Sequence, residues 1–392
     1  MTDFIFEAQA LFEYTQSLRR DFHAHPELGF QEVRTAGIVA KELTSLGLEL
    51  HTGVGGTGVV ALLKGAKPGQ VVLARADMDA LPVQEETGAT YASMNPGVMH
   101  ACGHDAHTAV LLTVAKMLTA HRNNLSGTVK FMFQPAEEGM GGAEKMIEAG
   151  ILENPKVDVA LALHVWNEKP VGWIGIASGP ALAGAEIFKI KVRGKGGHGA
   201  VPHLALDPIL AAAQIVSALQ GIVARNIAPL QTAVVSVCTI HGGETFNVIP
   251  PLVEMTGTIR TFEQEVRARV LERFEQTVHS IAEGMGCQAE IDLQILTPAT
   301  INQPEIADRV QVVARRLFSD GRVDIANYMT MGSEDFAYIL EKVPGCFFFI
   351  GSANPEKGLN AGHHHPRFDI DEAALPRGAA LMAATISDYL KS

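Results

Sequence analysis

Three histidines, a cysteine and an aspartate lie within one short stretch of the chain, residues 99–109 (MHACGHDAHTA). Cys102 and His104 are two residues apart, and an apolar run with helical spacing follows them. Thiolate and imidazole are good ligands for zinc and related divalent metals, and at this spacing both can point from one loop toward one ion. The stretch is therefore a candidate metal-binding loop, although an isolated Cys-Gly-His is more often an incidental triplet.

Further side chains that could bind a metal lie far along the chain from this loop. Each follows an apolar segment or lies in the histidine-rich tail: Glu137 and Glu138, His164, and the run His363-His364-His365. Two metal ions need about eight protein contacts, some of them shared or filled by water. These residues and the loop together can meet that demand.

Composition limits the classes of protein to which the chain can belong. With 392 residues, of which 47% are hydrophobic and 19% charged, it is long enough for two packed soluble domains. The net charge of −12 argues against nucleic-acid and anionic-membrane partners. No signal-peptide pattern is visible and the four cysteines have unrelated contexts, so we expect a cytoplasmic protein with reduced thiols. We also expect no apolar run of the roughly 18–20 residues that cross a bilayer.

The first part of the chain alternates strand and helix patterns, which predicts an α/β domain with a helix-covered, mostly parallel sheet. The predicted segments are strands at 58–64, 70–76 and 127–133 and helices at 32–46 and 108–121. Asp77 and Asp79 follow the second strand, where open α/β sheets place their sites. A turn stabilised by aspartate side chains explains the same two residues equally well.

From about residue 185 the pattern changes to β-α-β-β-α-β, which is typical of a ferredoxin-like domain. The predicted segments are strands at 186–193, 232–241, 252–262 and 288–296 and helices at 208–225 and 263–285. The α/β pattern resumes near residue 305. We therefore predict a discontinuous catalytic domain, residues 1–182 and 297–392, with an inserted domain at 183–296.

Five segments together resemble one protein family in their order and spacing. They are 77–82 (DMDALP), 102–107 (CGHDAH), 134–138 (QPAEE), 196–203 (GGHGAVPH) and 331–336 (MGSEDF). The family is the amidohydrolase branch of the aminoacylase and glutamate-carboxypeptidase family of two-metal peptidases, which includes hippurate hydrolases, N-acyl-amino-acid amidohydrolases and auxin-conjugate hydrolases. The resemblance extends from about Arg19 to the C-terminus.

The resemblance implies a binuclear centre with two divalent metal ions per subunit, of which Zn, Mn, Co and Ni all suit a mixed shell. The implied ligands are Cys102 as the bridge, with His104, Glu138, His164 and His364. His364 is chosen because this branch places its ligand two residues before a proline, here Pro366. His363 and His365 remain alternatives.

The resemblance also assigns the catalytic groups. Glu137 is the expected general base, beside the metal-binding Glu138, and Asp79 orients a neighbouring group. His198, in the inserted domain, is the expected oxyanion donor. Asn247 and Arg260 resemble family positions that contact the substrate, and an arginine fork matches a carboxylate. A solvated position at a strand edge is the alternative for Arg260. Asp105 and His107 stay open between a site role and a role at a helix start.

The expected activity is hydrolysis of the amide of an N-acyl amino acid, such as an N-acetyl or N-benzoyl derivative, to a carboxylate and a free amino acid. A dipeptidase or carboxypeptidase with the same centre is the alternative within the enzyme class. A non-catalytic relative that binds small amides is the alternative outside it, and a general base beside a metal argues against it. The resemblance implies a homodimer, or a higher oligomer built from it, formed through the inserted domain.

Overall fold

The computed structural model describes residues 3–318, 323–324 and 328–391. The chain divides into two compact units. The first consists of Met1–Ala181, Ile301–Met329 and Asp335–Ser392, and the second of Leu182–Thr300 and Thr330–Glu334.

The first unit contains the candidate metal-binding residues. Its helices are α1 (Phe4–Ala10), α2 (Phe12–Ala24), α3 (Val33–Ser45), α4 (His104–Ala120), α5 (Gly142–Glu148), α8 (Pro304–Leu317), α9 (Ala337–Leu340) and α10 (Leu375–Tyr389). Its strands are β1 (Glu49–Val54), β2 (Gly58–Lys64), β3 (Lys67–Asp77), β4 (Ser126–Gln134), β5 (Val159–Pro170), β6 (Ile174–Gly175), β15 (Val323–Asp324) and β16 (Gly345–Ala353).

These strands form one sheet in the order β1-β2-β4-β3-β5-β16-β6-β15. The four central strands, β4, β3, β5 and β16, are parallel to one another. Toward the edges, β2 is antiparallel to both β1 and β4, and β6 is antiparallel to β16 but parallel to β15. Every residue of β16 is buried, as expected for a sheet covered on both faces. The predicted α/β class with a mostly parallel, helix-covered sheet is confirmed.

Parallel pairing brings the candidate residues to one edge of the sheet. Asp77, the last residue of β3, lies opposite Gln134, the last residue of β4. The glutamate pair therefore follows immediately beside the Asp77–Asp79 segment. His164 lies within β5, at a position that pairs with Phe349 of β16. The carboxyl ends of parallel strands are where open α/β sheets place their sites.

The second unit has its own four-stranded antiparallel sheet and its own core. Its elements are β8 (Gly184–Arg193), β9 (Gly197–His198), α6 (Pro208–Asn226), β10 (Ala233–His241), β11 (Val248–Ile249), β12 (Leu252–Thr261), α7 (Gln264–Gly284) and β13 (Gln288–Thr297). The sheet order β10-β12-β8-β13 is that of a ferredoxin-like fold. Two short strands, β7 (Gly179–Leu182) and β14 (Thr300–Asn302), lie where the chain passes between the units.

The bounds of the second unit differ from the predicted 183–296. It runs from Leu182 to Thr300 and includes Thr330–Glu334, which the sequence pattern assigned to the catalytic domain. The Ala183 N–H donates to the carbonyl oxygens of Thr330 and Gly332 at 3.2 and 2.9 Å. These backbone hydrogen bonds join a segment distant in sequence to the start of this unit, which no local pattern could indicate.

Helix α6 is long and apolar enough, by length and composition alone, to cross a membrane. The sequence pattern predicted no run of this length, so that prediction does not hold for α6. A single such helix is weak support for a membrane span, since the core helix of a soluble protein meets the same criteria. Its buried residues, among them Ile215, Leu219 and Ile222, belong to the core of the second unit.

Candidate metal centre

Helix α4 begins directly after the Cys-Gly-His loop and positions it. The helix starts at His104, four residues before the predicted 108, so His104, Asp105 and His107 all lie in its first turns. Gly103 precedes it with a φ of 91°, in the left-handed region that favours glycine. A Cβ at Gly103 would lie 2.4 Å from Cγ2 of Val165. Glycine is therefore required between Cys102 and His104.

We expect Gly103→Ala to move the two candidate ligands apart and to weaken metal binding. The added methyl group would clash with Val165, which costs about 1–3 kcal/mol in addition to the cost of placing alanine in the left-handed region. Gly97→Ala is the matched control, because Gly97 has a φ of 77° and a Cβ there would meet no atom within 4 Å, so only the backbone cost applies. Metal content and thermal unfolding of the two variants measure the difference. Equal metal content in both would contradict the requirement for Gly103.

The structure brings all five proposed ligands together in two groups that share Cys102. One group is Cys102, His104 and His164, and the other is Cys102, Glu138 and His364. Within each group the candidate ligand atoms lie within 4.8 Å of one another. Cys102 is common to both groups, and the sulfur, imidazole and carboxylate ligands of the two groups would suit zinc or a related divalent metal.

Hydrogen bonds direct one nitrogen of each imidazole in the first group away from the centre. Nδ1 of His104 lies 3.2 Å from Oδ1 of Asp79, and Nδ1 of His164 lies 2.5 Å from the carbonyl oxygen of Val165. An imidazole whose Nδ1–H is donated outward presents the Nε2 lone pair to a metal. Nε2 of His104 is buried without a hydrogen-bond partner among the described residues. This buried lone pair fits a metal ion.

His364 reaches the second group from an uncommon backbone conformation. Its φ is 65°, and its N–H donates to the carbonyl oxygen of Ala101 at 2.8 Å. Such conformations cost free energy and concentrate at functional sites. Nε2 of His364 lies 3.2 Å from Oε1 of Glu138, and hydrogen bonds to Cys102 and Glu138 raise its pKa to about 10. His365 is exposed, and its Nδ1 accepts the Arg367 N–H at 3.0 Å.

Asp79 connects the two groups. One carboxylate oxygen pairs with His104, and the other accepts the backbone N–H of Glu138 at 3.0 Å. Asp77 is held differently, between Nδ1 of His107 and the Arg75 guanidinium, each at 2.6 Å. Burial raises the pKa of Asp77, but His104, Arg75 and His107 together hold it well below its usual range. Asp79 therefore contacts one member of each group.

His107 has both ring nitrogens engaged inside the protein. Nδ1 pairs with Asp77, and Nε2 accepts the backbone N–H of Val165 at 2.9 Å. Its ring centroid lies 4.4 Å from that of His164, in an edge-to-face arrangement. His107 therefore supports the strand that carries His164.

Glu137 is buried beside the second group, in a turn that other residues stabilise. Ala136 has a φ of 53°, and its N–H donates to Oε1 of the buried Glu32 at 2.9 Å. Oε1 of Glu137 accepts the Asp335 N–H at 3.3 Å. Gln134 in turn donates to both oxygens of the Asp335 carboxylate, at 2.7 and 2.9 Å. Asp335, in the segment MGSEDF, thus contacts Glu137, which lies 198 residues earlier in the segment QPAEE.

Asp105 belongs to a buried ion cluster behind the loop. Its Oδ2 lies 2.8 Å from Nε of Arg19 and 2.8 Å from Nδ1 of His23. Arg19 is fully buried and also pairs with Asp369 and Glu372. Burial raises the pKa of Asp105, but Arg19 and His23 outweigh it and hold the pKa well below its usual range. No sequence signal indicated this role of Arg19, because its partners are distant along the chain.

We expect Arg19→Met to lower the free energy of unfolding by about 3–5 kcal/mol, because it leaves buried carboxylates without their cation. The folded-state pKa of Asp105 is depressed, so its stabilising contribution is present above its unfolded pKa of about 4 and is lost as the pH falls further. The loss from Arg19→Met is therefore largest near neutral pH.

Arg20→Met is the matched control for this substitution. The side chain of Arg20 is 41% exposed. Within the part of the chain that the structure describes, Glu372 is the only carboxylate with which it forms an ion pair. Its replacement is expected to cost at most about 1 kcal/mol. Urea unfolding of both variants at several pH values gives the comparison, and an equal cost for both would contradict the importance of the buried cluster.

His198, Asn247 and Arg260 all lie in the second unit. His198 in β9 pairs with Val248 in β11, and the Gly199 N–H donates to the Asn247 carbonyl oxygen at 2.8 Å. His198 and Asn247 are therefore neighbours, and both are exposed. Nδ1 of His198 accepts the Ala200 N–H at 3.1 Å, so the ring proton lies on Nε2. Arg260, on β12, is half-buried and bonds Thr258.

Comparisons with known proteins identify the family of this chain. Residues 73–388 match the family model for the peptidase family M20/M25/M40. The chain is 43% identical over 360 residues to an N-acetylcysteine deacetylase of Bacillus subtilis, covering 92% of each protein. It is 41% identical over 378 residues to thermostable carboxypeptidase 1 of Saccharolobus solfataricus, covering 95% of each.

A solved structure gives the same result for the fold. It is that of a Bacillus subtilis protein described as a dinuclear metal binding peptidase of the M20 family. It shares 38% sequence identity with this chain, covers 97% of this chain and 99% of its own, and superposes with a TM-score of 0.85. The chain therefore belongs to the peptidase family M20/M25/M40, as its five motifs indicated.

Proposed function

We propose that this protein is a metal-dependent amidohydrolase that cleaves the amide bond of N-acyl amino acids. One observation carries the proposal: the buried Glu137 adjoins two groups of candidate ligands that share Cys102. A deacetylase of an N-acyl amino acid among the similar proteins supports the same activity. A protein that only binds small amides would not need a general base beside a metal.

In this proposal Cys102, His104, His164, Glu138 and His364 hold two divalent ions. Bound there, such a pair lowers the pKa of a water and polarises the amide carbonyl. Glu137 takes the proton of the attacking water and delivers it to the nitrogen of the leaving amino acid. Asp79 keeps His104 and the Glu138 backbone in place through its two oxygens. Zn, Mn, Co and Ni all suit this donor set, and elemental analysis of the purified protein would identify the metal.

His198 is proposed to donate a hydrogen bond to the oxyanion that forms at the carbonyl carbon. The proton on its Nε2, set by the bond from the Ala200 N–H, supplies that donor. Asn247, its neighbour, and Arg260 are proposed to bind the substrate carboxylate. Removing one oxyanion donor costs on the order of 10²–10³ in kcat.

A substrate panel tests the activity and separates the two enzyme alternatives. The panel pairs N-acetyl and N-benzoyl amino acids, including hippurate, with dipeptides that have the same C-terminal residue. We expect the acyl-amino acids to be cleaved with the higher kcat/KM. The similarity to a thermostable carboxypeptidase favours the second candidate, and preferential cleavage of the peptides would establish it. No hydrolysis of either set by metal-loaded protein would overturn both.

We also propose that the protein works as a cytoplasmic homodimer, or a higher oligomer built from it, in which His198 completes the active site of the partner subunit. Mixing inactive Glu137→Gln and His198→Ala proteins, after dissociation and reassociation, tests this arrangement. Random pairing makes about half of the dimers mixed, each with one competent site of two, so roughly a quarter of wild-type activity should return. If His198 acts in its own subunit, mixing restores nothing although mixed dimers form.

A further inference from the structure

His363 is a half-buried histidine that belongs to neither group of candidate ligands. Its Nδ1 lies 3.8 Å from Sγ of Cys102, within hydrogen-bonding range for sulfur. Its Nε2 lies 3.2 Å from the backbone nitrogen of Asn167, whose N–H points at it. The ring thus has one nitrogen toward the proposed bridging thiolate and the other toward the backbone of β5.

The contact with Asn167 determines which nitrogen carries the ring proton. A backbone N–H can only donate, so Nε2 must be the acceptor and bears no proton. A neutral imidazole carries one proton, which therefore lies on Nδ1. That proton faces Cys102. The ring can act toward the sulfur as a donor while the Asn167 contact persists.

The surroundings of His363 hold this orientation. Asn167 is itself buried, and its side-chain amide donates to the carbonyl oxygens of Ala361 and Asp369 at 2.7 and 3.0 Å. The imidazole also lies against two aromatic rings, with centroids 4.7 Å from Trp166 and 5.0 Å from Phe368. Rotation of the ring would disrupt these contacts as well as the hydrogen bond.

We propose that His363 is a positioning residue that donates an Nδ1–H hydrogen bond to the Cys102 thiolate and so adjusts its bond to the metals. Outer hydrogen bonds of this kind orient a ligand and tune its donor strength, as they do at other metal–sulfur centres. The proposal rests on the proposed function in one respect, namely that Cys102 is a thiolate ligand.

Two substitutions test the contacts of the two ring nitrogens of His363 one at a time. Asparagine places an amide nitrogen near the position of Nδ1, so His363→Asn can still donate to the sulfur but loses the Asn167 contact. Glutamine places an amide oxygen near the position of Nε2, so His363→Gln can still accept from Asn167 but loses the donor to the sulfur. If His363 had only a structural role, we would not expect His363→Asn to resemble the wild type at the sulfur while His363→Gln differs from it.

The measurement is the thiolate-to-metal charge-transfer band of the cobalt(II)-loaded full-length protein. We expect His363→Gln to shift the band to lower energy, because the sulfur becomes more electron-rich, and His363→Asn to leave it near the wild-type position. An unshifted band in His363→Gln, or a shift only in His363→Asn, would overturn the hydrogen bond. Absence of the band from the wild type, as from Cys102→Ala, would instead overturn the thiolate ligand and with it the proposed metal centre.

A second measurement on the wild type does not depend on how the glutamine variant folds. In zinc-loaded protein labelled with ¹⁵N-histidine, the His363 signals, assigned by their loss in His363→Asn, should show a protonated Nδ1 and an unprotonated Nε2. The opposite tautomer would contradict the proposal. Two unprotonated nitrogens would also contradict it, because they would make His363 itself a ligand.

Discussion

Replacement of Glu137 by glutamine is expected to lower kcat by on the order of 10²-fold or more while the protein keeps its full metal content. The amide cannot accept the proton of the attacking water, yet it has almost the same volume as the carboxylate. Its oxygen can still accept the Asp335 N–H that Glu137 now accepts. Steady-state kinetics on an N-acyl amino acid, together with elemental analysis, measure both quantities.

The adjacent Glu138 provides the matched control for this experiment. Glu138→Gln changes the same functional group one residue along, but it removes a carboxylate from the group that includes Cys102 and His364. We expect this variant to lose metal together with activity. If Glu137→Gln loses metal and Glu138→Gln retains it, the two roles are exchanged and the assignment of the general base is wrong.

The largest expected loss of metal follows replacement of Cys102, because it is the residue common to both groups. Cys102→Ala should reduce metal affinity by more than the roughly 10–100-fold that loss of an outer partner costs, and activity should fall with it. Burial, together with the charge of Glu138, raises the pKa of the Cys102 thiol. A bound cation acts in the opposite direction and favours the thiolate.

Chemical modification checks the same assignment in the unmutated site. A chelator should abolish activity reversibly, and alkylation of Cys102 should be much faster after chelation than before it, because a coordinated thiolate is shielded. Among the four cysteines, Cys238 is exposed, whereas Cys287 and Cys346 are buried. A Cys238→Ser background therefore removes the competing reactive thiol. Equal rates of alkylation with and without metal, at Cys102, would show a free thiol.

The local chain pattern by itself determined the elements and their class. Apolar runs of strand length alternating with helical spacing indicated the parallel sheet, and the four central strands confirm it. The sequence also indicated which residues could bind metal, because cysteine, histidine and glutamate side chains come directly after predicted strands or at the start of predicted helices. Local spacing carries this information, since both helix and strand periodicity are set within a few residues.

Only the tertiary structure decided which of these side chains meet. Asp77 and Asp79 come from the same segment, yet Asp77 pairs with Arg75 and His107 while Asp79 holds His104. Asp105 shares the loop of the candidate ligands, but it faces Arg19, which lies 86 residues earlier in the chain. Partners this far apart are set by the packing of α2 against α4 and not by any local spacing.

Local sequence also could not show which of the three tail histidines binds metal, and only the family resemblance favoured His364. Chain geometry gives each a different environment: His363 lies between Asn167 and Cys102, His364 reaches Glu138, and His365 turns back to Arg367. His364, between the other two, has a left-handed backbone with a φ of 65°. A dihedral angle of this kind is imposed by the surrounding fold, because the residue itself disfavours it.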